Sequence, residues 1–185
     1  EAASVLAAGD IAFVGLNTNN PDRFAFVALV AIEGGTEIRF TDEGWTGAAF
    51  RGTSEDTGVW EAPPGGLAAG SVIEIEGTSV TGGGTWTGEA LDGLSVSGDQ
   101  VLAYQESPGL TNFLAGIGAG SGNGNWISNG SPDSNESYIP FPLGLGTNVL
   151  GFTSDNGYFS GLSTNTTSGL QRYINDGGEW TLDSG

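Results

Sequence analysis

Apolar and polar positions alternate with a period of two in a series of short segments along the chain. Asp10–Leu16, Phe24–Ala31, Glu37–Thr41, Ser71–Glu76, Gln100–Tyr104 and Asn148–Phe152 are rich in β-branched or aromatic residues and are bounded by Gly, Asn, Asp or Pro. That pattern predicts strands. Four strand entrances repeat one local order, Gly, a small polar or acidic residue, any residue, then Ile or Val: Gly35–Ile38, Gly70–Ile73, Gly98–Val101 and Gly146–Val149. A glycine there permits positive φ at a turn, and the irregular spacing separates this turn chemistry from a solenoid repeat. One helix is expected near the C-terminus. Ser168-Gly169-Leu170-Gln171 has capping-box spacing, Leu170, Tyr173 and Ile174 share a face, and Gly177-Gly178 stops the run.

Gly44–Gly58, Gly77–Gly93 and Ser107–Pro142 are too glycine-rich to read as regular structure and are expected as long loops carrying binding or assembly surfaces. The predicted fold is all-β: an antiparallel immunoglobulin-like β-sandwich with long glycine-rich loops and one short C-terminal helix. Residues 9–185 form a single domain in this reading, and residues 1–8 form an N-terminal extension.

Composition narrows the chemistry. The chain has 185 residues, with 34 Gly, 22 acidic and four basic residues, and a net charge of −18. All four basic residues are Arg, and His, Cys, Lys and Met are absent. Histidine-dependent nucleophilic catalysis, thiolate or histidine metal sites, Schiff bases and a P-loop lysine are therefore excluded. Strong negative charge opposes nucleic-acid backbones and anionic lipid, and no apolar run approaches a membrane span. Glu1 in place of an initiator Met reads as a processed N-terminus, so a secreted, cell-surface location is expected.

Hard oxygen donors concentrate in loops. Asn17-Thr18-Asn19-Asn20-Pro21-Asp22 offers several carboxylate and carbonyl ligands of the kind calcium takes, although it lacks EF-hand order. Its alternative is an Asx turn in which Asp22 pairs with Arg23. Asp42-Glu43, Glu55-Asp56, Asp133 to Glu136 and Asp155-Asn156 are further acidic clusters, with solvated loop charge as their alternative. The charge excess favours a divalent cation at one of them, and Asn17, Asn19, Asp22, Asp42 and Glu43 are the first candidate calcium ligands. A glycosidase would need two acids about 5 to 9.5 Å apart in a cleft, and no pair stands out.

Trp86 and Trp126 lie inside glycine-rich stretches, GGGTWTGE and GNGNWIS, where each either pins a loop or meets a partner. The uncharged stretch Ala2–Ala8 precedes the first strand. It is either an edge strand or tail, or a donor strand that buries Val5 and Leu6 in a neighbouring subunit. Three Asn-x-Ser/Thr sites occur at Asn129, Asn135 and Asn165.

The motif GDIAFVGLNTNNPDRFAFVALVAIEGGTEIRFTDEGW at Gly9–Trp45, with WEAPPGGLAAGSVIEI at Trp60–Ile75, SGDQVLAYQ at Ser97–Gln105 and EW at Glu179–Trp180, resembles a bacterial secreted domain. More distantly it is similar to lamin-tail-like immunoglobulin sandwiches. The resemblance implies a secreted module placed beside enzymes, adhesins or anchors, with no defined reaction. That family often has Asp where this chain has Asn19, which removes one carboxylate from the loop. Together these readings predict a non-catalytic extracellular structural protein, a self-assembling subunit of a surface fibre, sheath or adhesive appendage assisted by calcium. The alternative is a carbohydrate-binding module of a secreted multidomain enzyme. The expected partners are copies of the chain or a polysaccharide, with no nucleic acid and no membrane insertion.

Overall fold

A computed structural model of the chain describes residues 2–52, 55–161 and 167–184. Its strands in chain order are β1 (Ile11–Asn17), β2 (Arg23–Ala28), β3 (Glu37–Thr41), β4 (Thr57–Glu61), β5 (Val72–Glu76), β6 (Ser79–Thr81) and β7 (Thr85–Gly88). They continue as β8 (Gly98–Ser107), β9 (Leu110–Gly120), β10 (Trp126–Ile127), β11 (Ser137–Tyr138), β12 (Val149–Phe152), β13 (Asn156–Phe159) and β14 (Trp180–Asp183). Two six-stranded sheets result, ordered β14-β13-β1-β2-β5-β6 and β12-β9-β8-β3-β4-β7, with β10 and β11 as a separate pair. The fold is an all-β sandwich.

Alternation decides which side chains enter it. Phe13, Phe24, Phe26, Ile73 and Ile75 of the first sheet meet Phe40, Trp60, Val101, Ala103 and Ile117 of the second in one buried cluster. Phe24 and Phe40 lie 4.9 Å apart, and Trp60 meets Phe26 edge-on at 5.3 Å. Burial of such large apolar areas is the main stabilising term. All four repeated entrance glycines, Gly35, Gly70, Gly98 and Gly146, have positive φ, between 73° and 118°, as the turn reading requires.

Several expectations change. Ser107–Pro142 is not simply a loop, because it contains β9, an 11-residue strand. Its Gly116, Gly118 and Gly120 recur at the period of a strand face, and the space above them is taken by Trp126, the backbone of Gly124 and the side chain of Asn125. Glycine is there for close approach rather than flexibility. The sheets are also not wholly antiparallel: β12 runs parallel to β9, and β10 parallel to β11. A parallel pair needs a long crossover, and the chain between β9 and β12 supplies it by folding over the second sheet.

That crossover covers the outer face of the second sheet. Leu102, Tyr104, Phe113, Trp126, Leu143 and Val149 form a second buried cluster there, with Trp45, Phe50 and Ile139 packed against it. On the first sheet, helix Thr167–Asn175 covers only part of the outer face. Ile174 is buried with Ala12, Val27 and Leu29, and Leu170 packs against them. Tyr173, expected on that same face, is 39% exposed at its rim, where it meets Phe159 edge-on. The Ser168 side chain of the expected capping box and the Asn165 glycosylation site lie outside the described residues.

The extension does not stand apart from the domain. Leu6 is 3% exposed and belongs to the chain's own core. Its N–H donates to Gln105 Oε1 and its carbonyl accepts from Asn112 Nδ2, while the Ser4 N–H donates to Thr36 Oγ1. Of the two alternatives for this segment, the structure shows it docked on its own chain, with Leu6 in that chain's core. Its backbone is held by side-chain amides and hydroxyls, not by a strand ladder. Val5 points outward, 92% exposed.

Candidate functional site

The acidic loops gather at one end of the sandwich. The β3–β8 pairing, Thr41 opposite Leu102, brings Asp42 at the end of β3 close to Asp99 at the start of β8. Both carboxylates are 4% exposed, and Asp22, before β2, is 8% exposed. Each holds a loop by accepting backbone N–H groups. Asp22 Oδ2 accepts from Leu94, Asp42 Oδ1 from Asp56, and Asp99 from Ser95 and Gln100.

Proton affinity at this end is raised. Burial, reinforced by the charges of Asp99 and Asp56, pushes the Asp42 carboxyl up to about 8. Burial pushes Asp99 up to about 7, against the opposing pull of the Ser95 and Gln100 N–H groups, and Glu55 and Asp22 add repulsion. Asp22 is raised by burial, with Leu94 N–H opposing and Asp92 adding to it. Asp56 is raised by burial and by Glu89 and Asp92. Like charges crowded in a poorly solvated place favour the neutral acid. Among the described residues the ion pairs are Arg23–Glu76, Arg39–Glu106 and Arg51–Glu55, and none involves Asp22, Asp42 or Asp99.

The candidate ligands therefore separate. Asp22, Asp42 and Glu43 are all buried at this end. Asn17 is occupied locally: its Nδ2 donates to the carbonyls of Asn19 and Pro21, and its Oδ1 accepts the Asn19 N–H. The loop is thus an Asx turn, although Arg23 faces Glu76 across the β2–β5 pair rather than Asp22. Among the described residues no three acidic side chains converge as a metal-binding group by themselves. The turn at Asp133 closes on itself, with Asp133 Oδ1 accepting the Asn135 N–H.

The two tryptophans serve packing. Trp126 is 5% exposed, lies over Gly116 and Gly118, and donates its indole N–H to the Leu150 carbonyl. Trp86, on edge strand β7, stacks on Phe40 at 6.0 Å and donates to the Glu89 carbonyl. Neither forms an exposed platform, and both pin the chain around them, the first of the two alternatives for these residues.

A site that the sequence reading missed lies on the outer face of the first sheet. Tyr158, Gly15, Ala25 and Glu74 are successive partners across β13, β1, β2 and β5. Small Gly15 and Ala25 form the floor, so an open groove of about 830 Å³ runs beside the helix, walled by Val72, Tyr158 and Leu170. Tyr158 is 59% and Val72 51% exposed. The signal was present as Gly15 and Ala25 in otherwise bulky strands, but only the register shows that they are neighbours. On the opposite side, Phe141 is 93% exposed. It sits between Pro140 and Pro142 in a turn closed by the Leu143 N–H to the Pro140 carbonyl, in the layer over the second sheet.

No family model, curated protein or solved structure matches the chain. The resemblance to secreted lamin-tail-like modules accordingly rests on the motifs that carry it. No described helix is long and apolar enough to cross a membrane.

Proposed function

We propose that the chain is a non-catalytic extracellular structural module that stacks head to tail with copies of itself. The observation that carries this reading is the pairing of a mainly apolar groove on one face with a 93% exposed Phe141, presented by a proline-flanked turn, on the other. A knob and a hollow on opposite faces make a heterologous contact, which propagates as an open filament rather than closing into a dimer. Proline on both sides of Phe141 limits the freedom lost when it docks. Because each copy carries −18 charges, stacking is expected to strengthen with ionic strength or divalent cations.

Negative-stain microscopy and light scattering of the purified chain, at low and high salt and with and without calcium, test this. Filaments are expected, and they should be lost in both Phe141→Ser and Gly15→Leu. A wild-type chain that stays monomeric at millimolar concentration in every condition would falsify the stacking reading. The exposed Tyr158 beside the groove favours a second reading, polysaccharide binding by stacking on the phenol ring. That reading expects a monomer whose retention on polysaccharide is lost in Tyr158→Ala.

A further inference from the structure

Two buried side-chain atoms among the described residues have no hydrogen-bond partner, Gln100 Oε1 and Glu55 Oε2. Both are oxygens, and both sit at the acidic end. Gln100 is fully buried. Its Nε2 donates to the Asp42 carbonyl, which fixes the amide head against the segment Asp42–Gly44 with its oxygen unmatched. Glu55 reaches the same segment: the Gly44 N–H acts on its carboxyl, and the neighbouring Glu43 charge repels it. Continuing the β3–β8 register by two residues sets Glu43 opposite Gln100 on the same face of the sheet.

Buried acceptors without donors are costly and call for a partner that is positive or donates. The surrounding charge distinguishes the two kinds. Glu43 repels Glu55, Glu55 repels Asp99, and Asp99 and Asp56 repel Asp42, whereas Arg51 is engaged with Glu55 Oε1 at 3.1 Å. A water molecule would satisfy the oxygens and leave the repulsion; protons ease that repulsion while the site is empty and are released when a cation binds. A hard cation meets both needs, and calcium accepts mixed carboxylate, amide and backbone carbonyl ligands.

We infer that a calcium-class divalent cation binds between Gln100 Oε1 and Glu55 Oε2, with Glu43 supplying further charge, and clamps the segment after β3 onto the start of β8. The site is independent of stacking, since a monomer can bind the ion, so either idea can fail alone.

The test is thermal unfolding of the full chain in chelator and in millimolar calcium, together with terbium luminescence excited through Trp45, the residue after Gly44. Calcium is expected to raise the melting temperature by about 5 °C or more at saturation, and terbium should give sensitised emission that calcium displaces. Gln100→Met keeps the volume and removes the oxygen, and Glu55→Gln removes the charge. Both should lose the calcium shift and the emission; the readout is the difference between calcium and chelator within each variant, since Gln100→Met also removes the donor to the Asp42 carbonyl and Glu55→Gln the charge facing Arg51. Glu37→Gln, exposed at the opposite end of β3 from Asp42, should retain both signals. A wild-type melting temperature that calcium leaves unchanged, or a calcium shift that survives in Gln100→Met, overturns the site.

Discussion

The two outer faces of the sandwich use the same device to opposite ends. On the second sheet, Gly116 and Gly118 leave a low track, and the chain's own crossover fills it with Trp126 and the backbone of Gly124. On the first, Gly15 and Ala25 leave a similar low floor, and the helix covers only the part over Ala12, Val27 and Leu29. A side chain added at Gly118 would collide with backbone, whereas one at Gly15 has Ala25 Cβ as its nearest neighbour at 3.6 Å and the Gly157 carbonyl at 3.9 Å, both ordinary van der Waals contacts. Small residues thus mark close approach, but sequence does not say whether the approaching body belongs to the same molecule.

Changes at the covered face should have the largest effects. Trp126→Ala removes the side chain that fills the track and one donor to the Leu150 carbonyl. It should cost about 3–5 kcal/mol in urea unfolding. Gly118→Ala, which forces the crossover away from β9, should cost about 2–3 kcal/mol by the same measurement.

Next comes pH, which acts on the end where the second sheet's strands carry Asp42 and Asp99. Their folded values of about 8 and 7 lie above the ordinary 3.8. The folded chain therefore holds protons that the unfolded chain has released, and stability must fall as pH rises from about 4 to about 8. In chelator, melting at pH 5 should exceed melting at pH 8, and Asp42→Asn should flatten the difference. A profile rising toward pH 8 would contradict the buried, unpaired state of these acids.

The open face should respond least. Gly15→Val is expected to leave stability within about 1 kcal/mol of wild type, since its Cβ finds space and a β-branched residue suits a strand. A loss as large as that at Gly118 would mean that the groove floor is packed after all, and the contrast between the faces would collapse.

Much of this was legible. The period-two segments around Phe24, Ile38, Ile73, Val101 and Val149 became strands, and the helix before Gly177 formed where its spacing put it. β9 was obscured because glycine in LAGIGAG outweighed its own alternation. The candidate site divides along the same line. Local chemistry described the Asn17 turn, but Asp42 and Asp99 meet only through the pairing of distant strands, and Gly15 and Ala25 become a groove floor only through the β1–β2 register. The tryptophans misled because a glycine neighbourhood suggests exposure when it can equally be the mould into which an indole is pressed.

The parallel pairing of β9 with β12 also orders events in time. β8 and β9 join through a short turn at Ser107–Leu110, so their contacts close a small loop. β12 must find β9 after an intervening stretch that includes β10 and β11, and its loop closes at greater entropic cost. The hairpin should therefore be the template and the crossover the late arrival. In folding kinetics, substitutions in the β8–β9 hairpin should slow folding, while Trp126→Ala should chiefly hasten unfolding.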